Sequence, residues 1–150
     1  MPDIVDTETR SRMMAGIRGK DTKPEIMVRK ALHHLGYRYR LHDRKLPGKP
    51  DLVLPRYRAV ILIHGCFWHA HECHLFKWPS TRNAFWREKI GRNRCRDANV
   101  ANQLSSLGWR QLTIWECALK GKKRKSLKEV VALAETWLNS DKPVGEIKGG

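Results

Sequence analysis

An uninterrupted apolar run, Ala59-Val60-Ile61-Leu62-Ile63, lies in a chain that is otherwise rich in charged residues. The run is too short for a buried helix and contains three β-branched residues, so it predicts a strand buried on both faces near the centre of a sheet. A chain of 150 residues, 41% of them apolar, has enough side chains for one core of ordinary size. We therefore expect residues 1–150 to form a single domain.

Capping signals predict the helices around this strand. Asp6 and Thr7 can cap a first helix within residues 1–20, and two capping boxes open further helices at Thr22-Lys23-Pro24-Glu25 and Ser126-Leu127-Lys128-Glu129. A long helix is expected over residues 81–107, with Thr81 as its cap and Gly108 after its end. Its inward stripe is expected to contain Trp86, Ile90, Asn93, Asp97, Val100, Ala101, Leu104 and Leu107.

Further strands are expected at residues 37–41, 51–54 and 109–115, and residues 140–150 are expected to be a flexible tail. The predicted order is α-α-β-β-β-α-β-α. This order indicates a mixed central sheet flanked by helices, which is an α/β or α+β fold.

The charge balance points to a polyanionic partner. Lys and Arg outnumber Asp and Glu by 30 to 15, for a net charge of +15, which favours nucleic acid or an anionic membrane surface. The apolar runs are too short to span a bilayer, and the first residues do not resemble a signal peptide. We therefore expect no membrane partner and a cytoplasmic location, where clustered cysteines bind metal more often than they form disulfides.

Acidic residues at strand edges are the first candidates for chemistry. Asp51 begins a strand directly after a proline, and His64 ends the next strand, so both are expected at neighbouring edges of one sheet. A carboxylate there suits Mg²⁺, whereas the alternatives are a turn aspartate and a structural histidine. Asp97 lies on the inward face of its helix, where it either pairs with an arginine or orients a histidine that acts as a base. Glu25 is accounted for by its capping box.

Cysteines and histidines cluster after the central strand, in the string Gly65-Cys66-Phe67-Trp68-His69-Ala70-His71-Glu72-Cys73-His74. Cys66, Cys73 and the later Cys117 can supply three ligands of a closed tetrahedral zinc site, and the fourth can come from His69, His71 or His74. Cys95 is expected to be a bystander, and the alternative is chance clustering. Phe67 and Trp68 lie among these ligands, where their rings can form an exposed wedge between base steps or simply cover the zinc site.

Five sequence elements together resemble the very-short-patch repair endonucleases (Vsr). They are Thr9-Arg10-Ser11-Arg12-Met13-Met14, Leu46-Pro47-Gly48-Lys49-Pro50-Asp51, His64-Gly65-Cys66-Phe67-Trp68-His69, Phe85-Trp86-Arg87-Glu88-Lys89-Ile90 and Trp115-Glu116-Cys117-Ala118-Leu119. The resemblance extends from about residue 6 to residue 138. It implies a restriction-endonuclease-like fold and hydrolysis of one strand 5′ to the mispaired T of a T·G mismatch, which arises when 5-methylcytosine is deaminated.

The resemblance also implies roles for particular residues. Asp51 resembles the carboxylate that bridges two Mg²⁺ ions, with the Ile63 carbonyl as a further ligand, and His69 resembles a general base oriented by Asp97. Glu25 and His64 resemble groups that hold metal-bound water. The structural zinc ligands correspond to Cys66, His71, Cys73 and Cys117. The DNA contacts correspond to Phe67, Trp68 and Trp86 in the wedge, Met14 from the opposite groove, and Lys89 and Asn93, with residues 1–20 as a DNA-contacting helix.

Two positions depart from the family pattern: Ile63 stands where the family usually has Thr, and Ala70 where it often has His. We expect a monomer that acts on double-stranded DNA beside other repair proteins, associated with the bacterial nucleoid. The main alternative is a zinc-stabilised, non-catalytic nucleic-acid-binding module. A third interpretation, an RNA-binding ribosome-associated protein, explains the charge but not the buried acids.

Overall fold

A computed structural model describes residues 22–150 of the chain. The predicted helix within residues 1–20, including Met14, lies outside the described residues. The helices are α1 (Lys23–His34), α2 (Asn83–Ser106) and α3 (Leu127–Leu138), and the strands are β1 (Arg40–Leu41), β2 (Leu52–Leu54), β3 (Ala59–His64), β4 (Arg110–Trp115) and β5 (Val144–Ile147). No helix among these residues is both long and apolar enough to cross a bilayer.

The five strands form one mixed sheet in the order β1-β2-β3-β4-β5. β1, β2 and β3 pair antiparallel, whereas β3, β4 and β5 pair parallel, with α2 and α3 in the two crossovers. The apolar run is the central strand β3, and Ala59, Val60 and Ile61 are fully buried. The predicted α+β class, a restriction-endonuclease-like sheet flanked by helices, is confirmed.

Alternating residues of the strands face two separate layers. One face packs against α1 and α3 through a core that includes Ile61, Ile114 and Val130. The other face packs Val53 and Val60 against Leu104 of α2. Because β3 alternates, His64 continues the face that α2 covers. The carboxyl end of β3 therefore delivers its last side chain toward the inward side of the long helix.

The prediction of a flexible tail over residues 140–150 is wrong for the middle of that range. Residues 144–147 form β5, parallel to β4, and Ile147 is buried in the larger core. Gly145 permits this packing, because a Cβ at that position would lie 2.4 Å from Cδ1 of Trp137. The short strand contains a glycine and a glutamate and is followed by Lys148. Its sequence therefore shows too little apolar alternation to be recognised as a strand.

Several predicted caps and boundaries also need correction. The residue before α2 is Arg82, in a left-handed conformation, and not Thr81. The predicted inward stripe of α2 is at least partly buried except for Leu107, which follows the helix and is 51% exposed. Ser126 accepts a hydrogen bond from the Glu129 amide, as its capping box predicts. Thr22 makes no such side-chain bond, so Glu25 has another role.

Candidate active site and metal centre

A cavity of about 510 Å³ opens where β3 ends beside α2. Its lining includes four residues that the sequence proposed for chemistry, Asp51, His64, His69 and Asp97. Two residues predicted to touch DNA, Lys89 and Asn93, lie on the same wall, together with Trp68 and Ile63. The predicted catalytic and recognition residues are therefore neighbours in one concave site.

Asp51 lies at the edge of the sheet, immediately before β2. Its Oδ2 accepts a hydrogen bond of 2.7 Å from the Ile63 amide, which fixes the carboxylate against β3. Burial and the neighbouring charge of Glu25 raise the pKa of Asp51 from 3.8 to about 7. Burial and the Glu25 carboxylate both disfavour the charged form of Asp51. A cation bound beside the two carboxylates would offset both effects.

Glu25 stands beside Asp51, and its capping box does not explain its position. It is 1% exposed, and its Oε2 lies 2.8 Å from Nη1 of Arg29 and 2.8 Å from Nε2 of His42. Donor atoms of Glu25, His42 and Asp51 all lie within 4.8 Å of one another. The first turn of α1 thus contributes a carboxylate to the edge of the sheet.

His42 is a member of this group that sequence reasoning missed. The register that pairs Leu41 with Leu52 continues to His42 and Asp51, where the His42 amide donates to the Asp51 carbonyl over 3.2 Å. The available signal was the Leu-His-Asp sequence before the Pro-Gly-Lys-Pro-Asp loop. This signal is informative only when the register of β1 and β2 is known.

His69 and Asp97 form a second pair across the cavity. Nδ1 of His69 lies 2.5 Å from Oδ2 of Asp97, so the predicted partner of Asp97 is a histidine rather than an arginine. The Asp97 carboxylate accepts a hydrogen bond from Nδ1–H of His69, which in the neutral ring leaves the lone pair on Nε2. Such an arrangement can position a ring for general-base catalysis.

His64 packs face to face with His69, with ring centroids 3.9 Å apart and planes 3° apart. Burial, followed by the charge of His69, lowers the pKa of His64 to about 3. His64 is therefore neutral near pH 7. Its ring can exchange hydrogen bonds with water in the cavity but carries no charge of its own.

Cys66, His71, Cys73 and Cys117 form a separate cluster in the part of the chain that the structure describes. Their donor atoms lie within 4.8 Å of one another, and His71 Nδ1 is 3.5 Å from Sγ of Cys66 and 3.6 Å from Sγ of Cys117. Burial lowers the pKa of His71, which keeps its ring neutral, and burial raises the pKa of the Cys66 and Cys117 thiols. His71 thus joins the three cysteines, whereas His69 faces Asp97.

Contacts from β4 and from the residues around β5 hold this cluster. The Gly149 amide donates to Sγ of Cys117 over 3.3 Å, and a Cβ on Gly149 would lie 2.7 Å from the Cys117 carbonyl oxygen. Trp115 stacks on His71 at 4.0 Å, and its Nε1 donates to Glu146 over 2.6 Å. The Trp115 ring also meets His64 edge to face, so it links the cluster to the cavity that Asp51 and His69 line.

The aromatic residues near the cluster correct one expectation. Trp68, predicted to be exposed, is only 8% exposed, because it packs against Phe67 and Trp86. Its carbonyl accepts a hydrogen bond of 3.1 Å from Nδ2 of Asn93. Phe67 and Trp86 are partly buried, and Phe85 is 40% exposed. The outer surface of this aromatic cluster therefore belongs to Phe67, Trp86 and Phe85.

Comparisons with known proteins identify the family of the chain. The family described as DNA mismatch endonuclease Vsr matches residues 2–75. The DNA mismatch endonuclease Vsr of Escherichia coli (strain K12) is 45% identical over 138 residues, which cover 92% of this chain and 88% of that protein. The Type II nicking enzyme V.NmeAIP of Neisseria meningitidis is 45% identical over 81% of this chain and 87% of that protein. The Type II nicking enzyme V.HpaIIP of Haemophilus parainfluenzae is 36% identical over 90% of this chain and 97% of that protein. The chain therefore belongs to the Vsr family of DNA mismatch endonucleases and is a hydrolase that cleaves DNA.

Proposed function

We propose that this endonuclease nicks one strand of duplex DNA 5′ to the mispaired T of a T·G mismatch, in a reaction that depends on Mg²⁺. The observation that carries the proposal is that Asp51 and the His69–Asp97 pair line one cavity. One wall thus offers a carboxylate for a cation, and the other offers an oriented base. A non-catalytic binding module has no need for either.

Asp51 would hold the cation, with the Ile63 carbonyl as a second ligand and Glu25 beside it. The buried carboxylates fit a hard divalent ion, which polarises the scissile phosphate and stabilises the leaving oxygen when it is bound. His69 accepts the proton of the attacking water at Nε2. Asp97 holds the ring in the tautomer that this step requires and stabilises the imidazolium that forms. His64, neutral and stacked on His69, orients water in the cavity.

Zn²⁺ is the proposed ion of the cluster of three cysteines and one histidine. The donor set is the one that structural zinc sites use, and four protein ligands leave no open position for chemistry. Cys66, His71 and Cys73 lie on either side of His69 in the chain. They would fix the backbone on which the base is mounted. The cluster would thus act in catalysis only by positioning.

Recognition of the T·G pair is assigned to the cavity wall that α2 and the aromatic cluster form. Lys89 and Asn93 reach the cavity, and a donor side chain there can read the edge of a base. Phe67 and Trp86 offer ring faces to bases that separate more readily at a mispaired step. The names of the relatives, mismatch endonuclease and nicking enzyme, support mismatched duplex DNA as the substrate.

The setting follows from the substrate. The net charge of +15 suits a protein that works on chromosomal DNA, and we propose a cytoplasmic monomer associated with the nucleoid beside other repair proteins.

A nicking assay tests the proposal. Matched duplexes that contain a T·G, A·G or fully paired site, each labelled at one 5′ end, are incubated with the protein with and without Mg²⁺. We expect a single product cut 5′ to the T, on the T·G duplex alone and only with Mg²⁺. Equal cleavage of the paired duplex, or cleavage that persists in a chelator of Mg²⁺, would contradict it.

A further inference from the structure

His42 lies beside the proposed cation site and has no role in the mechanism above. It follows β1 directly, and the β1–β2 register places it opposite Asp51. The His42 ring lies beside the Asp51 carboxylate. His42 adopts a positive φ of 48°, an uncommon conformation for a non-glycine residue. Its backbone amide donates a hydrogen bond to the Asp51 carbonyl, which holds it in this conformation.

The ring nitrogen of His42 lies between two carboxylates. Nε2 is 2.8 Å from Oε2 of Glu25 and 3.9 Å from Oδ1 of Asp51. This nitrogen is buried, yet it makes no hydrogen bond of acceptable geometry with any described residue. The Glu25 oxygen is near enough but lies outside the direction in which a ring N–H points. A buried ring nitrogen thus lies beside two carboxylate oxygens and makes no hydrogen bond with any described residue.

We propose that His42 Nε2 is a ligand of one of the divalent cations held at Asp51, together with Glu25, and that this nitrogen makes the site favour first-row transition ions such as Mn²⁺ over Mg²⁺. The inference rests on the proposed cation site at Asp51 and extends it to a third side chain. All three donors lie within the 4.8 Å that one ion can bridge.

The chemistry of the donors determines which ion is favoured. Mg²⁺ prefers oxygen ligands and keeps several waters, so it gains little from an imidazole. Mn²⁺ accepts both oxygen and nitrogen, and affinity for nitrogen ligands rises from Mn²⁺ through Fe²⁺ and Co²⁺. Two carboxylates alone would discriminate weakly. The imidazole adds binding free energy for Mn²⁺ and Co²⁺ and little for Mg²⁺.

The test is pulsed electron paramagnetic resonance of Mn²⁺ bound to the full-length, zinc-loaded protein, because the method detects a nitrogen attached to the ion. His42→Gln is the informative variant: its amide oxygen can still face Glu25 or a cation, but it supplies no ring nitrogen. We expect the nitrogen signal to be lost and the Mn²⁺ affinity to fall by about tenfold or more. Mg²⁺ affinity, measured by competition, should fall by less than about threefold.

Control variants separate the candidate histidines and the two proposals. His64→Gln and His69→Gln should each keep the nitrogen signal, which also answers the question if His42→Gln folds poorly. Persistence of the signal in folded His42→Gln, or its loss in His64→Gln or His69→Gln, overturns the assignment to His42. Asp51→Asn should abolish Mn²⁺ binding. Unchanged binding in that variant would instead overturn the cation site on which the proposed function depends.

Discussion

Asp51 carries a carboxylate that its surroundings push toward the protonated form. Burial is the main cause, and the pKa is about 7 in the folded chain against 3.8 without these surroundings. Above pH 7 the folded protein must hold a buried charge, so the group opposes folding most there. As pH falls from about 7 toward 3.8, the folded form gains its proton first, and the opposition fades.

Asp51→Asn is therefore expected to abolish nicking and yet to stabilise the zinc-loaded protein at pH 8 without Mg²⁺. Asparagine keeps an oxygen that can accept the Ile63 amide but carries no charge. The melting temperature should rise by several degrees, since about 1 kcal/mol moves it by roughly 2–4 °C in a domain of this size. The gain should shrink at pH 5, and Mg²⁺ should stabilise only the wild type. A variant less stable than wild type at pH 8 would show that the carboxylate is already compensated.

Asp97→Asn tests the pair that orients the proposed base. An amide can turn its NH₂ group toward Nδ1 of His69, which leaves the Nε2 proton in place and removes the base. Single-turnover nicking should slow by about 100- to 10,000-fold, while the dissociation constant for T·G DNA stays unchanged. The exposed Asp141 offers a matched control in Asp141→Asn, which should cut at the wild-type rate. Equal losses in rate and in binding would indicate that Asp97 supports the fold rather than the base.

The sequence predicted the role of Asp97 from a local pattern, but it did not predict the contacts of His42 and Glu25 with Asp51. Asp97 could be found because a carboxylate stood in the apolar stripe of a long helix, a local pattern that requires a partner for the buried charge. His42 could not, because its proximity to Asp51 depends on strand register and on one left-handed residue. For Glu25 the local pattern predicted only a capping box, because its contact with His42 is tertiary, and its place beside Asp51 was expected only from the family resemblance.

At the scale of elements, β5 is the part of the fold that closes the cysteine cluster. Gly149, just beyond the strand, has no room for a side chain, since its Cβ would lie 2.7 Å from the Cys117 carbonyl oxygen and 2.9 Å from that of Lys123. Neither neighbour is a flexible side-chain end that can move away cheaply. The close approach requires glycine.

Gly149→Ala should displace the backbone of Cys117 and speed the loss of zinc to a chromogenic chelator by about tenfold or more, as expected when a group that supports a metal ligand is disturbed. Gly91→Ala is the matched control, because Gly91 lies on α2 with no atom within 4 Å of an added Cβ. That variant should release zinc at the wild-type rate and be as stable or slightly more stable. Similar release from both variants would mean that Gly149 does not hold the cluster.

The aromatic cluster allows burial and recognition to be separated. Trp68→Ala should lower the melting temperature sharply, since removing a buried tryptophan costs about 3–5 kcal/mol. Phe67→Ala, at a partly buried ring, should lower the melting temperature less than Trp68→Ala does. It should weaken binding to T·G DNA more than to paired DNA, by the roughly 1–3 kcal/mol of a lost stack. Phe85→Ala, at an exposed ring, is the control for a general loss of aromatic surface. Binding measured on both duplexes gives the answer, and equal losses on the two would remove Phe67 from recognition.

Sequence patterns predicted the long elements and missed the short one. The apolar run of β3 and the stripe of α2 repeat over many residues, so the signal accumulates. β5 has only the residues Val144–Ile147, and its place in the sheet is determined by partners on β4 and by Trp137 packing against Gly145. Tertiary packing, rather than local preference, makes this segment a strand.

For the whole molecule, the cluster of cysteines and the catalytic cavity are joined through Trp115 and through the loop over residues 65–80, which contains no helix or strand. Such a loop has little core of its own, so its order depends on the ligands that hold it. Loss of the metal from the cysteine cluster should therefore also abolish activity at the cavity.

Removal of zinc by a chelator, followed by exchange into zinc-free buffer with excess Mg²⁺, should abolish nicking and expose the loop to proteolysis. Re-addition of Zn²⁺ should restore both properties, whereas further Mg²⁺ should restore neither. Far-ultraviolet circular dichroism monitors whether the helices survive. Full activity in protein shown by metal analysis to be zinc-free would separate the cluster from catalysis.

The interleaving of residues along the loop that starts at Cys66 has a consequence for engineering. A proposed zinc ligand, an aromatic contact, the proposed base and another proposed zinc ligand follow along the chain at Cys66, Phe67, His69 and His71. A substitution that reshapes the loop for a different mismatch also moves the base, so specificity and rate cannot be varied separately there. Lys89 and Asn93 line the same cavity from a regular helix. Laboratory evolution toward new mismatches should therefore accumulate its useful changes on α2 and leave the loop intact.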